Sequence, residues 1–180
     1  AEQAMRMLEA QPAPTGELPV VVAAGGGVMF HEAVGHGLEA DAVLRQATVF
    51  AGRVGEKVAS ELVTLYDDAT IPKVRGSFNI DDEGTPAART LLIEKGILRG
   101  YMHDRRTARA LGVQPTGNGR RQSFRYPVVV RMTNTNVAPG TDSPEEIIKA
   151  TPRGVYAVEF GGGEVDTTSG QFTFGLREAY

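Results

Sequence analysis

The sequence predicts an α+β fold: antiparallel β hairpins and a sheet, with a few short helices. Three observations lead there. With 22 glycines and 10 prolines in 180 residues, turns interrupt the chain often. Short apolar runs flank turn signals, in two places as hairpins. The helical patterns are few and brief.

The elements follow in order. Residues 1–10 read as the end of a helix, stopped by Gln11-Pro-Ala-Pro. Leu18–Ala24 is a short buried strand, broken by Gly25-Gly26-Gly27. That triplet lacks the Lys-Ser/Thr of a P-loop and the GxGxxG spacing, so it reads as a tight turn into a helix rather than a phosphate cradle. From Val28 to about Gln46, apolar residues at Phe30, Val34 and Leu38 keep helical spacing. Glu61–Tyr66 is a strand ended by a DDAT turn, and residues 71–86 are an extended loop. Arg89–Met102 is a hairpin turning at Glu94-Lys95-Gly96. Residues 104–111 form a helix closed by Gly112, and residues 114–123 a loop. Pro127–Thr133 is a strand. Ser143-Pro-Glu-Glu opens a helix, with Ser as cap, Pro in the first turn and carboxylates at the positive end of the dipole. Val155–Phe160 is a strand, and Gly163–Tyr180 a hairpin turning at TTSG.

Residues 1–180 make one domain, long enough to bury a sizeable core. No apolar run approaches the roughly 18 residues of a membrane helix, and the expected location is the cytoplasm. The chain has no cysteine, which removes disulfides and thiolate ligands of its own. The net charge of −3 is unevenly spread: −6 over residues 1–98, +7 over 99–131 and −4 over 132–180. The central cluster (Arg105, Arg106, Arg109, Arg120, Arg121, Arg125) has three readings: pairing with acids of the flanking segments, contact with an acidic or carboxylate-bearing peptide, or nucleic-acid binding. The acidic whole chain makes a nucleic-acid partner the least expected.

The chemistry concentrates in His31-Glu32-Ala33-Val34-Gly35-His36. On a regular helix, at about 100° per residue, these two imidazoles stand about 140° apart. One extra residue in the turn, a π-bulge eased by Gly35 and Gly37, brings them onto one face. Two neutral imidazoles beside a carboxylate suit zinc hydrolysis, in which the ion acidifies a water and Glu32 takes its proton. For a third ligand, His103, Glu39 and Asp41 are all open. Glu39 and Asp41 serve equally well as partners orienting an imidazole.

The segments FHEAVGHGLEAD (Phe30–Asp41), PTGNGRR (Pro115–Arg121), RMTNT (Arg131–Thr135) and FGGGEVDTTSGQFTFGLREAY (Phe160–Tyr180) together resemble the TldD/PmbA family of metalloproteases. Its TldD-type subunit carries HExxxH and its PmbA-type (TldE) partner does not. The resemblance implies a cytoplasmic zinc peptidase, working as a heterodimer with a PmbA/TldE-like partner on unfolded or flexible peptides, including modified-peptide antibiotic precursors and labile antitoxins. By position it makes His31 and His36 zinc ligands and Glu32 the catalytic base. It places the third ligand in a Cys beyond Tyr180 and a further domain before residue 1. The chain is therefore expected to be the metal-site core of a larger TldD-like protein, cut at both ends and weak in zinc binding alone. Gly161, Gly162 and Gly163, with Arg120 and Arg121, are the expected substrate contacts, the glycines as a strand edge that a peptide extends. The rival is a non-catalytic, peptide-binding scaffold or regulatory subunit of a complex.

Overall fold

The computed structural model describes residues 2–180; Ala1, in the expected first helix, lies outside them. Five short helices and nine strands alternate along the chain, the α+β arrangement expected. The helices are α1 Glu2–Met7, α2 Val28–Ala33, α3 Ala40–Leu44, α4 Arg105–Leu111 and α5 Pro144–Lys149. No helix among them is long and apolar enough to cross a membrane. The two polar helices start as their sequences dictate. Ser143 and Glu146 form a reciprocal capping box on α5, and Asp104 and Thr107 another on α4, each cap contributing about 1 kcal/mol. Gly112 closes α4 at φ +69°.

The strands are β1 Val20–Val22, β2 Leu65–Asp68, β3 Arg89–Glu94, β4 Ile97–Leu98, β5 Gly119–Arg120, β6 Val129–Val130, β7 Thr135–Val137, β8 Val155–Asp166 and β9 Gln171–Ala179. They form three sheets, ordered β1-β8-β9, β4-β3-β2-β7 and β5-β6. All pairs are antiparallel except β1 with β8, which run parallel from Val20↔Val155 to Val22↔Ala157. The β3–β4 hairpin turns at Lys95-Gly96, both at positive φ, a backbone that matches strand twist.

Several expectations shift, among them the strand placed at Pro127–Thr133, which is reduced to Val129–Val130, and the loop at 114–123, which contains β5. The strand placed at Glu61–Tyr66 lies at Leu65–Asp68, because its register is fixed from both sides, by β3 and β7. Asp67 and Asp68 read as a turn in sequence, yet both are buried strand residues. β8 does not stop at Phe160 but runs through Gly161–Gly163, paired with β9. The segment Val28–Gln46 is not one helix. It breaks at Val34 (φ −118°), turns through a 3₁₀ segment at Gly35–Leu38, and is extended at Glu39 before α3. The cause is tertiary: the Ala40 N–H donates to Met102 O and the Met102 N–H to Leu38 O, both at 3.0 Å. This bridge outweighs the local helical pattern.

The core gathers between α3, the β2–β3–β4 sheet and β6: Leu38, Ala40, Val43, Leu65, Leu92, Leu98, Met102, Val130 and Met132, with Phe30, Val34 and Phe50 packed on its margin. The helix carrying His31 and Glu32 and the turn carrying His36 are thus both anchored on one hydrophobic mass.

Candidate metal centre

α2 supplies His31 and Glu32, and the 3₁₀ turn supplies His36. The imidazoles come together through the helix break, not through a π-bulge. Their ring centroids are 5.7 Å apart at 77°. One ligand atom from each of His31, Glu32 and His36 lies within 4.8 Å of the other two. Glycine is needed here for clearance. A Cβ on Gly35 would run into the buried Met132 sulfur, and one on Gly37 would meet the Phe50 ring and Thr48 Oγ1. The Thr48 hydroxyl also donates to Gly37 O at 2.8 Å, tying the turn down.

Glu39 stands behind His36. Its Oε2 is 3.2 Å from His36 Nδ1. A carboxylate only accepts, so Nδ1 carries the proton. His36 Nε2 faces Glu32 Oε2 at 3.5 Å. Glu39 is 8% exposed; its Oε1 has no hydrogen-bond partner and Arg131 Nη1 lies 3.9 Å away. These contacts split the two imidazoles. The Glu39 hydrogen bond raises the His36 pKa, against the opposing effect of burial. Burial, and then the neighbouring His36, lower that of His31, so His31 favours the neutral form a metal requires.

The remaining candidates divide. His103 is 5% exposed, packs edge-on to Tyr101 and receives no partner at Nδ1. It lies outside the His31–Glu32–His36 group. Asp41 turns to Arg45 Nη1 at 3.1 Å and to the Ala42 N–H. Gly161, Gly162 and Gly163 lie in β8, opposite β9, and do not line the cleft beside His31. Arg120 and Arg121 do. That cleft has a volume of about 690 Å³, and its wall also includes Arg75, Arg131, Thr133 and Asn134. Among the described residues, Arg106 alone in the Arg cluster pairs its guanidinium with an acidic side chain, Asp104 at 4.0 Å, while Arg105 donates to Glu83 O and, through its backbone N–H, to Glu83 Oε2. Arg75 and Arg131 escaped the sequence reading as site residues. RMTNT, which holds Arg131, Thr133 and Asn134, was the available signal.

The sequence profile of the PmbA/TldA metallopeptidase C-terminal domain matches residues 15–180. The chain belongs to the TldD/PmbA family. It is 50% identical over 179 residues to a protein named Metalloprotease TldD homolog from Haemophilus influenzae, a match covering 99% of this chain and 37% of that protein. Among solved structures, a Thermotoga maritima protein proposed as a modulator of a DNA gyrase superposes with a TM-score of 0.85 at 30% identity, over 99% of this chain and 41% of that one. TldE from Thermococcus kodakarensis gives 0.78 at 29% identity, over 91% and 37%. The chain thus spans well under half the length of these family members.

Proposed function

We propose that the chain is the metal-site core of a longer zinc peptidase, with His31 and His36 holding the ion and Glu32 as general base. One observation carries the reading: two imidazoles that a regular helix would hold about 140° apart converge, with the Glu32 carboxylate, within 4.8 Å. The donor set fits zinc, since the imidazoles are partly shielded and a buried carboxylate stands behind one of them. When bound, zinc supplies a Lewis acid that polarises a peptide carbonyl.

The chain's own residues do the rest. Glu39 accepts a hydrogen bond from His36 Nδ1–H and fixes the tautomer, leaving the Nε2 lone pair available as a ligand. The lowered pKa of His31 keeps its imidazole neutral at physiological pH. Glu32, adjacent in sequence and space, takes the proton of the attacking water and returns it to the leaving amine. Flexible peptides are the substrates, held in the cleft beside His31. The missing ligand comes from a longer chain, as the share of the relatives covered allows. A TldE-like protein is the partner, and the cytoplasm the site of action. Glu32→Gln in the full-length protein is the test. Zinc content stays near that of the unsubstituted protein and peptide cleavage disappears. Normal cleavage by that variant refutes the mechanism, whereas absence of cleavage by both the variant and the unsubstituted protein favours the rival scaffold reading.

A further inference from the structure

We propose that the cleft beside His31 selects peptides carrying acidic side chains. The proposal rests on the peptidase reading above and adds to it the substrate class.

Four guanidinium groups line the cleft, from Arg75, Arg120, Arg121 and Arg131, and no carboxylate does. Acids are not scarce nearby, but those of the loop beside Arg120 and Arg121 spend their oxygens on backbone. Asp81 accepts the N–H groups of Glu83, Thr85 and Gly119. Asp82 accepts the N–H of Arg121 itself, at 2.8 Å. The segments that carry the arginines are thus fixed by carboxylates that leave the guanidiniums alone. The loop bearing Arg75 is pinned likewise. The Gly76 N–H donates to Asn134 Oδ1 at 3.1 Å, and a Cβ on Gly76 would collide with that amide and the Thr133 carbonyl. Arg120 is steadied by Met132 O at 3.3 Å and by the Phe78 ring.

Among the described residues, Arg75, Arg120 and Arg121 make no ion pair with an acidic side chain. Arg131 has only Glu39 at 3.9 Å. Forked cations held in place without an internal partner suit carboxylates, which they bind bidentately. The volume falls in the roughly 300–1,000 Å³ range of ordinary ligand sites. A polynucleotide is also anionic, but among the described residues no Phe, Tyr or Trp lines this cleft, and its one ring, the His31 imidazole, is assigned to the metal, so it offers no free ring on which unpaired bases can stack. An acidic peptide needs none.

The test uses the full-length Glu32→Gln protein, in which turnover is blocked. Fluorescence anisotropy at low salt measures binding of labelled peptides identical except that Glu, Gln or Lys stands at the same positions. The Glu peptide binds about tenfold more tightly than the Gln peptide, the scale of a charge-assisted hydrogen bond. Adding Arg75→Gln and Arg121→Gln removes the preference, and adding Arg75→Glu and Arg121→Glu turns it toward the Lys peptide. Equal binding of the three peptides overturns the assignment. So does a single-stranded oligonucleotide that binds more tightly than the Glu peptide and depends on the same two arginines. Cleavage by the unsubstituted protein separates this proposal from the one beneath it. Equal kcat/KM for the Glu and Gln peptides removes the selectivity and leaves the peptidase. A Glu preference in binding, with no cleavage of any peptide, keeps the selectivity and removes the peptidase.

Discussion

Two buried carboxylates, Asp67 and Glu39, lie on either side of the same short segment, Arg131–Thr133, and are treated in opposite ways. Asp67, 2% exposed, is saturated. Asn118 Nδ2, the Thr133 N–H, Thr133 Oγ1 and Thr135 Oγ1 all donate to it, at 2.7–3.1 Å. Glu39, 8% exposed, has one hydrogen-bonding neighbour, His36, and a bare Oε1. Burying a charge is costly in both places. At Asp67 neutral donors offset that cost and weld β2 to the β6–β7 region, so the group is structural. At Glu39 the cost is only partly offset, and what it secures is the orientation of a single imidazole. Incomplete satisfaction thus separates Glu39, to which the proposed function gives a role at the metal site, from Asp67, which serves the fold.

Substitution breaks the comparison most sharply at Asp67. Asp67→Ala strands four donors in the interior and costs on the order of 3 kcal/mol, read as a drop in the urea midpoint. Glu39→Ala has a different signature: zinc affinity falls about 10- to 100-fold by competitive chelator titration, while the urea midpoint moves less than for Asp67→Ala. If the two variants exchange these signatures, the division of roles is wrong.

A smaller effect comes from His103, which like Glu39 is a buried polar group left short of a partner. Burial lowers its pKa in the folded state. The unfolded chain therefore takes up the proton first, and stability falls as pH drops from about 6.5 through the lowered folded value, staying flat above. Urea melts of the native protein and His103→Gln across this range check it, with a flatter profile in the variant. The smallest effect is at the exposed Asp166 in the β8–β9 turn. The hydroxyls of Thr168 and Ser169, with the Thr168 N–H, hold its pKa at about 2. Its contribution is present above the ordinary carboxylate value and vanishes as pH falls through about 2. A carboxyl NMR titration of that side chain reads it directly, and an ordinary midpoint contradicts it.

Much of this was legible in the sequence, and the failures share a cause. The Ser143 cap, the Gly112 closure, the Lys95-Gly96 turn and the His31-Glu32-His36 motif are local features, set by neighbours a few residues away. The break at Val34 was not legible. It depends on the bridge from Ala40 and Leu38 to Met102, more than sixty residues away along the chain. Gly35 and Gly37 were rightly singled out, but they relieve packing against Met132 and Phe50 rather than a π-bulge. Asp67 passed for a turn residue because its donors come from Thr133, Thr135 and Asn118, whereas Asp68 does take the N–H and hydroxyl of the nearby Thr70. Arg75 joined the cleft only through the contact of Gly76 with Asn134. Pairings between distant segments leave no periodic trace, so the wall of the cleft was the least readable part.

The central claim is that His31 and His36 bind one zinc ion together. Zinc-edge X-ray absorption on the zinc-loaded, full-length protein tests it most directly. The expected spectrum shows the scattering of two imidazoles around the metal, lost together with the bound zinc in His31→Ala/His36→Ala. An unchanged spectrum and full zinc occupancy in that double variant would contradict it.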